Sequence, residues 1–545
     1  MIIAVPRRWT LALLGLAFTT AAQAQSAATP TTADLSAQQW YLKDPQLDKV
    51  PGIGATRAYQ ELLKNKVPTP VIVAVIDSGI DTAHVDLKPV LWRNRNEIPG
   101  NKIDDDKNGY VDDVHGWNFL GGADGRNIGV ETLEMTRLVA DGRVRFKGKT
   151  LKQVPATQRA EFEQYQRAEK AYAKRVQDET GRDEQMQGMV EPLTMMVMML
   201  KHELQTDKLD TLTLSQARFT DPNLGRVRDG LLAMMRETHL PDTDAVLKEV
   251  TSAADQGRSM VSKSLNLEYN PRPDIVKDNP NDLTERYYGN NDLYATDPLH
   301  GTHVAGIIAA VRDNNLGVQG VAGPMVRIMA VRAVPDGDER DKDIANAIRY
   351  AVDNGASIIN MSFGKDFSPQ RKAVDAAYRY AASKNVLLVH AAGNEDDNLD
   401  VDPHYPAPTL LDGKPVPNLL TVGASGPTDD ENLTADFSNY SKKGVDVFAP
   451  GVAIFNTLPG STYGNESGTS MAAPVTAGVA ATLKSYFPTL TAVQLKDIIQ
   501  KSAQVHHTMV QVPGTDKKAD FSTLSATGGV VDLYEAVKLA QTVAK

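Results

Sequence analysis

The chain contains no cysteine in 545 residues. This excludes disulfides, a thiol nucleophile and a lipid-modified cysteine at a mature N-terminus. It also lacks any apolar run approaching the ~20 residues that a membrane-spanning helix needs. Trp9–Phe18 is far shorter, and MMVMML at 195–200 is shorter still. Basic charge is not in excess. Lys and Arg number 58 against 68 Asp and Glu, a net charge of −10, which disfavours a nucleic-acid surface.

The 41% of hydrophobic residues are enough for a sizeable core, and the length implies two domains or one domain carrying an insertion. Residues 1–24 have the form of a secretory signal: Arg7 and Arg8, then the apolar Trp9–Phe18, then Ala22-Gln23-Ala24 as a cleavage site. The expected location is therefore periplasmic or extracellular. An exported chain without disulfides needs another staple, and bound calcium is the expected one. No redox or nucleotide cofactor is indicated.

After a short segment at 25–44, strand and helix patterns alternate. Ile53 to Lys66 reads as a helix, and PVIVAVIDSG (70–79) as a buried strand ending in a tight turn at Asp77. The alternation resumes with a helix at 303–311, a strand at 327–334 and a helix at 342–355 that stops at Gly355. Strands follow at 357–363 and 386–393, and a further helix follows GTSMAAP. This order predicts an α/β fold with a doubly wound, mostly parallel sheet, helices on both faces and ligand groups at the carboxyl ends of strands. The main domain is expected over 45–120 and 288–540. Between them, 121–287 is charged and holds ten of the 16 methionines. It reads as a mainly α-helical insertion, with helices at 155–180, 188–206 and 224–237, serving as a lid over a cleft or as a peripheral addition.

Three segments carry the chemistry: VAVIDSGID around Asp77, HGTHVAG from His300, and GTSMAAP around Ser470. An acid, a base and a hydroxyl nucleophile in glycine-rich settings are the parts of a Ser-His-Asp triad. A zinc site would want H-E-x-x-H, which HGTHVAG is not. Ser470 opens a helix whose first N–H groups can donate to a developing oxyanion, and Pro474 is expected in its first turn. Asn394, directly after a strand in AAGNE, supplies the second donor.

With VIDSGID, HGTHVAG, INMSFG, AAGNE and GTSMAAP in this order, the chain resembles the subtilase family of serine proteases, over about 40–120 and 290–540. The resemblance implies a serine endopeptidase acting on polypeptides, with Asp77 as orienting acid, His300 as general base, Ser470 as nucleophile and Asn394 in the oxyanion hole. It also implies that Ser362, Phe363 and Gly364 on one wall, and Ala391, Ala392 and Gly393 on the other, line the pocket for the residue before the scissile bond. Small residues with Phe363 at the rim point to a roomy apolar pocket. Glu395 at the mouth and His404 near the base could instead admit basic or polar groups. The rival class is a binding or chaperone-like protein on the same scaffold with a silent site. An esterase is weaker still, since Ser470 lacks a G-x-S-x-G setting.

Two calcium sites are expected. Asp104, Asp106, Asn108 and Asp112 alternate around Gly109, with Tyr110 placed to offer a carbonyl, as in the first half of an EF-hand loop. Position twelve is His115, so Asp113 or a residue from elsewhere must complete the shell. The resemblance alone implies the second, thermitase-like site: Asp86 and Asn314, with the carbonyls of Val311, Leu316 and Val318.

Overall fold

The computed structural model describes residues 38–238 and 240–544. The expected signal at 1–24 lies outside them. The chain divides into two compact units, one formed by Met135–Glu268 and the other by the flanking segments.

The flanking segments build a nine-stranded sheet. Its strands are β1 (Val71–Asp77), β2 (Gly116–Asn118), β3 (Val326–Arg332), β4 (Ile358–Met361), β5 (Leu387–Ala391), β6 (Leu419–Ser425) and β7 (Val447–Pro450). A hairpin of β8 (Ile454–Leu458) and β9 (Thr462–Glu466) follows, then β10 (Gln504–Val505), the small pair β11 (Met509–Gln511) and β12 (Lys518–Asp520), and β13 (Gly529–Val530). The sheet order is β10-β13-β7-β6-β5-β4-β1-β3-β2, and every pairing is parallel except β10 with β13. β1 shows why the strands read as continuous apolar runs. Val71, Val73 and Val75 face one core with the helices Leu299–Ala309 and Thr469–Tyr486, while Ala74 and Ile76 face a second core with Asp341–Asp353 and Arg371–Ser383. Alternate side chains leave a strand on opposite faces, so covering both faces removes the polar alternation.

The sheet unit reaches further than the sequence implied. Trp40, Tyr41 and Leu42 are buried in its first core, and Tyr41 is held by Asn456 at 2.8 Å. Gly121–Glu134 and Tyr269–Tyr287, expected within the insertion, also belong to it. Buried ion pairs account for this. Arg272 clasps Asp278 and Asp343 at 2.6 Å each, and Lys365 holds Glu134 at 2.8 Å and Asp341 at 2.9 Å. Such groups are buried only where their charges are matched.

Met135–Glu268 is helical. The segments expected at 155–180 and 188–206 are one helix of 46 residues, Arg159–Leu204, which runs through Pro192. The apolar stripe overrides the proline: Met186, Leu193, Val197 and Leu200 pack on Val246, Val250 and Ala254 of the helix Thr243–Ser259. Met186 and Met235 are core residues, whereas Met195, Met198 and Met199 are exposed. Among the described residues, no helix is long and apolar enough to cross a membrane.

Candidate active site

Asp77 is the last residue of β1, and the register Ile76↔Met361 sets Ser362 beside it at the end of β4. His300 lies in the first turn of Leu299–Ala309, which meets the end of β1 very closely. A methyl on Gly301 would sit 2.1 Å from Gly79 O and 3.1 Å from Asp77 Oδ1, so only glycine fits there. At that distance His300 Nδ1 bonds Asp77 Oδ1 at 2.7 Å, and Ser78 N–H donates to the same oxygen at 2.8 Å. Asp77 is buried, and its Oδ2 has no hydrogen-bond partner. Burial disfavours the imidazolium, but the charge and hydrogen bond of Asp77 outweigh it, and the His300 pKa rises above 6.5. His303 is different. Buried and bonded to Gly464 O, it is pushed down to about 3 by burial and stays neutral.

Ser470 is the second residue of the helix Thr469–Tyr486. Pro474 is the sixth, so it sits in the second turn and not, as expected, in the first. Its missing N–H leaves the Ser470 carbonyl without a helical donor, and Ser362 Oγ supplies one at 2.9 Å. Asn360 Nδ2 in turn orients Ser362 Oγ at 2.9 Å. The Ser470 hydroxyl itself rests on Ser362 O at 3.4 Å.

Asn394 follows β5. Its Oδ1 accepts from Thr469 N at 2.8 Å and Thr469 Oγ1 at 2.9 Å, which fixes the amide and leaves Nδ2 as a donor. A methyl built on Gly468 would lie 3.6 Å from Asn394 Nδ2 and 3.6 Å from the Ser470 nitrogen. The bare Cα of Gly468 thus keeps open a space faced by two N–H donors. Neither Gly468 nor Thr469 stood out in the sequence, although both lie within GTSMAAP.

The register Met361↔His390 runs Ser362–Gly364 and Ala391–Gly393 side by side past the sheet. One expectation is corrected here. Phe363 is not at the rim but 8% exposed, because Ile359, Met361 and Phe363 alternate onto the same face, into the second core. The Phe363 carbonyl is bonded to His390 Nε2 at 2.8 Å.

The loop 94–113 gathers some of the residues its spacing pointed to, with one carboxylate from outside the motif. Oxygens of Glu97, Asp106 and Asp113 all lie within 4.8 Å of one another. Glu97 and Asp113 are buried, and the amides of Asn94 and Asn108 reach both Asp106 and Asp113. Burial pushes the Asp113 carboxyl up to about 6, against the bonds from Tyr350, Asn94 and Asn108. Asp104 instead accepts from Asn108 N and Gly109 N, and Asp112 from Gly100 N and Lys102 N. Tyr110 is buried among Trp117, Phe119 and Tyr350. Three carboxylates with adjacent amide groups form an oxygen-rich set of the kind calcium takes, so the residues fit that ion. Asp86 is buried beneath the loop Val311–Val318: its carboxylate accepts from Asn314 Nδ2, from Val318 N at 3.3 Å and from Tyr463 Oη at 2.8 Å, while Val311 N donates to Asp86 O. Leu316 N donates to Asn314 Oδ1 at 3.0 Å.

The sequence model of the subtilase family matches residues 69–528. The chain belongs to the subtilase family. Among curated relatives, this subtilase is 43% identical over 187 residues to a thermophilic serine proteinase of Bacillus sp. (strain AK1), covering 34% of this chain and 42% of that one. It is 40% identical over 206 residues to subtilisin BL of Lederbergia lenta, covering 37% of this chain and 70% of that one. A solved structure of a protease from Pseudoalteromonas arctica PAMC 21717 aligns over 94% of this subtilase and 100% of that chain, at 20% identity and a TM-score of 0.46, too distant to bear on residue roles.

Proposed function

We propose that the protein is an exported serine endopeptidase that cleaves polypeptides through Asp77, His300 and Ser470. The observation that carries this reading is the 2.7 Å bond from His300 Nδ1 to buried Asp77, at the same sheet edge as the helix start bearing Ser470. With Nδ1 held, Nε2 is the nitrogen left to act as base. The Ser470 hydroxyl turns from Ser362 O to Nε2, loses its proton and attacks the scissile carbonyl. Asp77 orients the ring and stabilises the imidazolium that forms. The carbonyl oxygen, now negative, enters the space before Gly468 and takes hydrogen bonds from Asn394 Nδ2 and Ser470 N–H. Collapse passes the proton from Nε2 to the leaving amine and leaves an acyl-enzyme. Water then repeats the sequence with His300 as base and releases the acid.

Calcium is assigned to Glu97, Asp106 and Asp113 with Asn94 and Asn108, and a second ion to Asp86 with the loop Val311–Val318. The bound ion would cross-link loops in a chain that has no disulfide. The test of the reaction is labelling by a fluorophosphonate together with hydrolysis of an unfolded protein substrate. Both are expected for the wild type and neither for Ser470→Ala. Labelling or cleavage that survives Ser470→Ala would overturn the assignment.

A further inference from the structure

Burial divides the methionines of the helical unit. Met186 and Met235 fill its core, as methionine ordinarily does, but three others on the helix Arg159–Leu204 stand in solvent: Met195 is 50% exposed, Met198 64% and Met199 55%. Packing gives no reason for them. Leu193, Val197 and Leu200 already supply the apolar stripe of this stretch, on the opposite face of the helix. A helix has about 3.6 residues per turn, so positions 195, 198, 199 and 202 share one patch, with about 5–6 Å between neighbouring Cβ atoms. The fourth member of that patch is His202, which is exposed and whose imidazole has no partner among the described residues.

We propose that this patch is a binding site for a soft monovalent metal ion, Cu(I), held by the thioethers of Met195, Met198 and Met199 and by the imidazole of His202.

The donor set decides the ion. A thioether sulfur is uncharged and polarisable, a poor ligand for hard cations but a good one for Cu(I), and imidazole is a nitrogen donor that copper also accepts. Methionine is unbranched and has three rotatable bonds, so sulfurs carried one helical turn apart can converge on an ion above the helix surface. A harder site is not available in the patch. The exposed carboxylates Glu191 and Glu203 lie one turn before Met195 and one turn after Met199. They are about 18 Å apart along the helix axis, too far to chelate one ion. Instead they supply a negative field that favours a bound cation, as does the carboxyl end of the helix at Leu204. Lys201, beside His202 in the chain, is drawn onto Asp244 at 2.7 Å and 3.0 Å, which neutralises its charge. None of these residues takes part in the peptide-bond chemistry, so metal binding is expected in Ser470→Ala as well.

The test uses full-length protein in the Ser470→Ala background, which prevents self-cleavage. Titrated without oxygen against the coloured Cu(I) complex of bicinchoninate, it should withdraw one equivalent of Cu(I). The triple variant Met195→Leu/Met198→Leu/Met199→Leu should withdraw none. Leucine is close to methionine in volume and the three sites are exposed, so the melting temperature should not change. His202→Gln should weaken binding by at least about tenfold, the scale on which even groups that only support a metal's ligands act. Met509→Leu removes another exposed methionine and should change nothing. With methionine methyl groups labelled with ¹³C, redox-inert Ag(I) should shift three signals, the same three that are missing from the triple variant. Failure of the parent protein to take Cu(I) from the chelator overturns the inference. Binding undiminished in the triple variant, or lost equally in Met509→Leu, places the ion elsewhere and overturns it too.

Discussion

The strand ends bearing Asp77, Ser362 and Asn394 and the acidic loop at 94–113 are both polar clusters made of residues that stand out in the sequence, but they are held in place by different means. Asp77, Ser362 and Asn394 sit at or just beyond the ends of parallel strands, where register sets position to within one residue. His300 and Ser470 open helices packed on those strands. Here the structure departs from the sequence reading in which way Phe363 faces and which turn holds Pro474. The loop has no ladder to position it. Its carboxylates compete with one another for the backbone N–H groups of their own turns. Asp104 and Asp112 accept from those groups, while Glu97, from outside the motif, lies beside Asp106 and Asp113. Spacing alone is thus a sound guide where a ladder holds the backbone and a poor one where side chains hold it.

Substitutions can break or sharpen this contrast. The largest effect is expected for Ser470→Ala, about 10⁶-fold in kcat, as for the nucleophile of the related subtilisin, with the melting temperature little changed. Asp77→Asn should cost about 10⁴-fold and also move the pH profile. Because Asp77 raises the His300 pKa, the ring in the wild type stays protonated to higher pH. The acid limb of kcat/KM should therefore lie above 6.5 and fall when the carboxylate is removed. The same linkage gives stability that is present below the unfolded histidine pKa and lost as pH rises through the folded value. An acid limb unmoved in Asp77→Asn would break the claimed coupling.

Asn394→Ala should lower kcat by about 10²–10³-fold with little change in KM, and Gly468→Ala should do the same by filling the space between the two donors. A Gly468→Ala enzyme of full activity would remove the oxyanion from that place. The smallest effects belong to the loop and are read in stability. Glu97→Gln should lower the melting temperature by several degrees and abolish its response to added calcium, whereas Asp112→Asn should lower it without abolishing the response. Equal loss of the calcium response in both variants would restore the ligand set that the spacing implied and erase the contrast.

Elsewhere, the same division separates what was legible from what was not. Apolar runs such as Val71–Ile76 announced a sheet covered on both faces, and the glycine-rich motifs announced the family. The single helix through Pro192 was not legible, because local propensity argues for a break and only the packing of Leu193, Val197 and Leu200 overrides it. Gly468 was silent for a related reason. An absent side chain acquires meaning only from the atoms placed around it.

By itself, the sequence determined the α/β class, the family, and the strand ends and helix starts that carry Asp77, His300, Asn394 and Ser470. These follow from periodicity and from short motifs whose residues lie on regular elements. Only the tertiary structure decided which carboxylates gather in the loop and that Ser362 takes the carbonyl freed by Pro474. Those contacts join segments tens to hundreds of residues apart, and no local pattern encodes the distance between two atoms that meet only when the sheet is assembled.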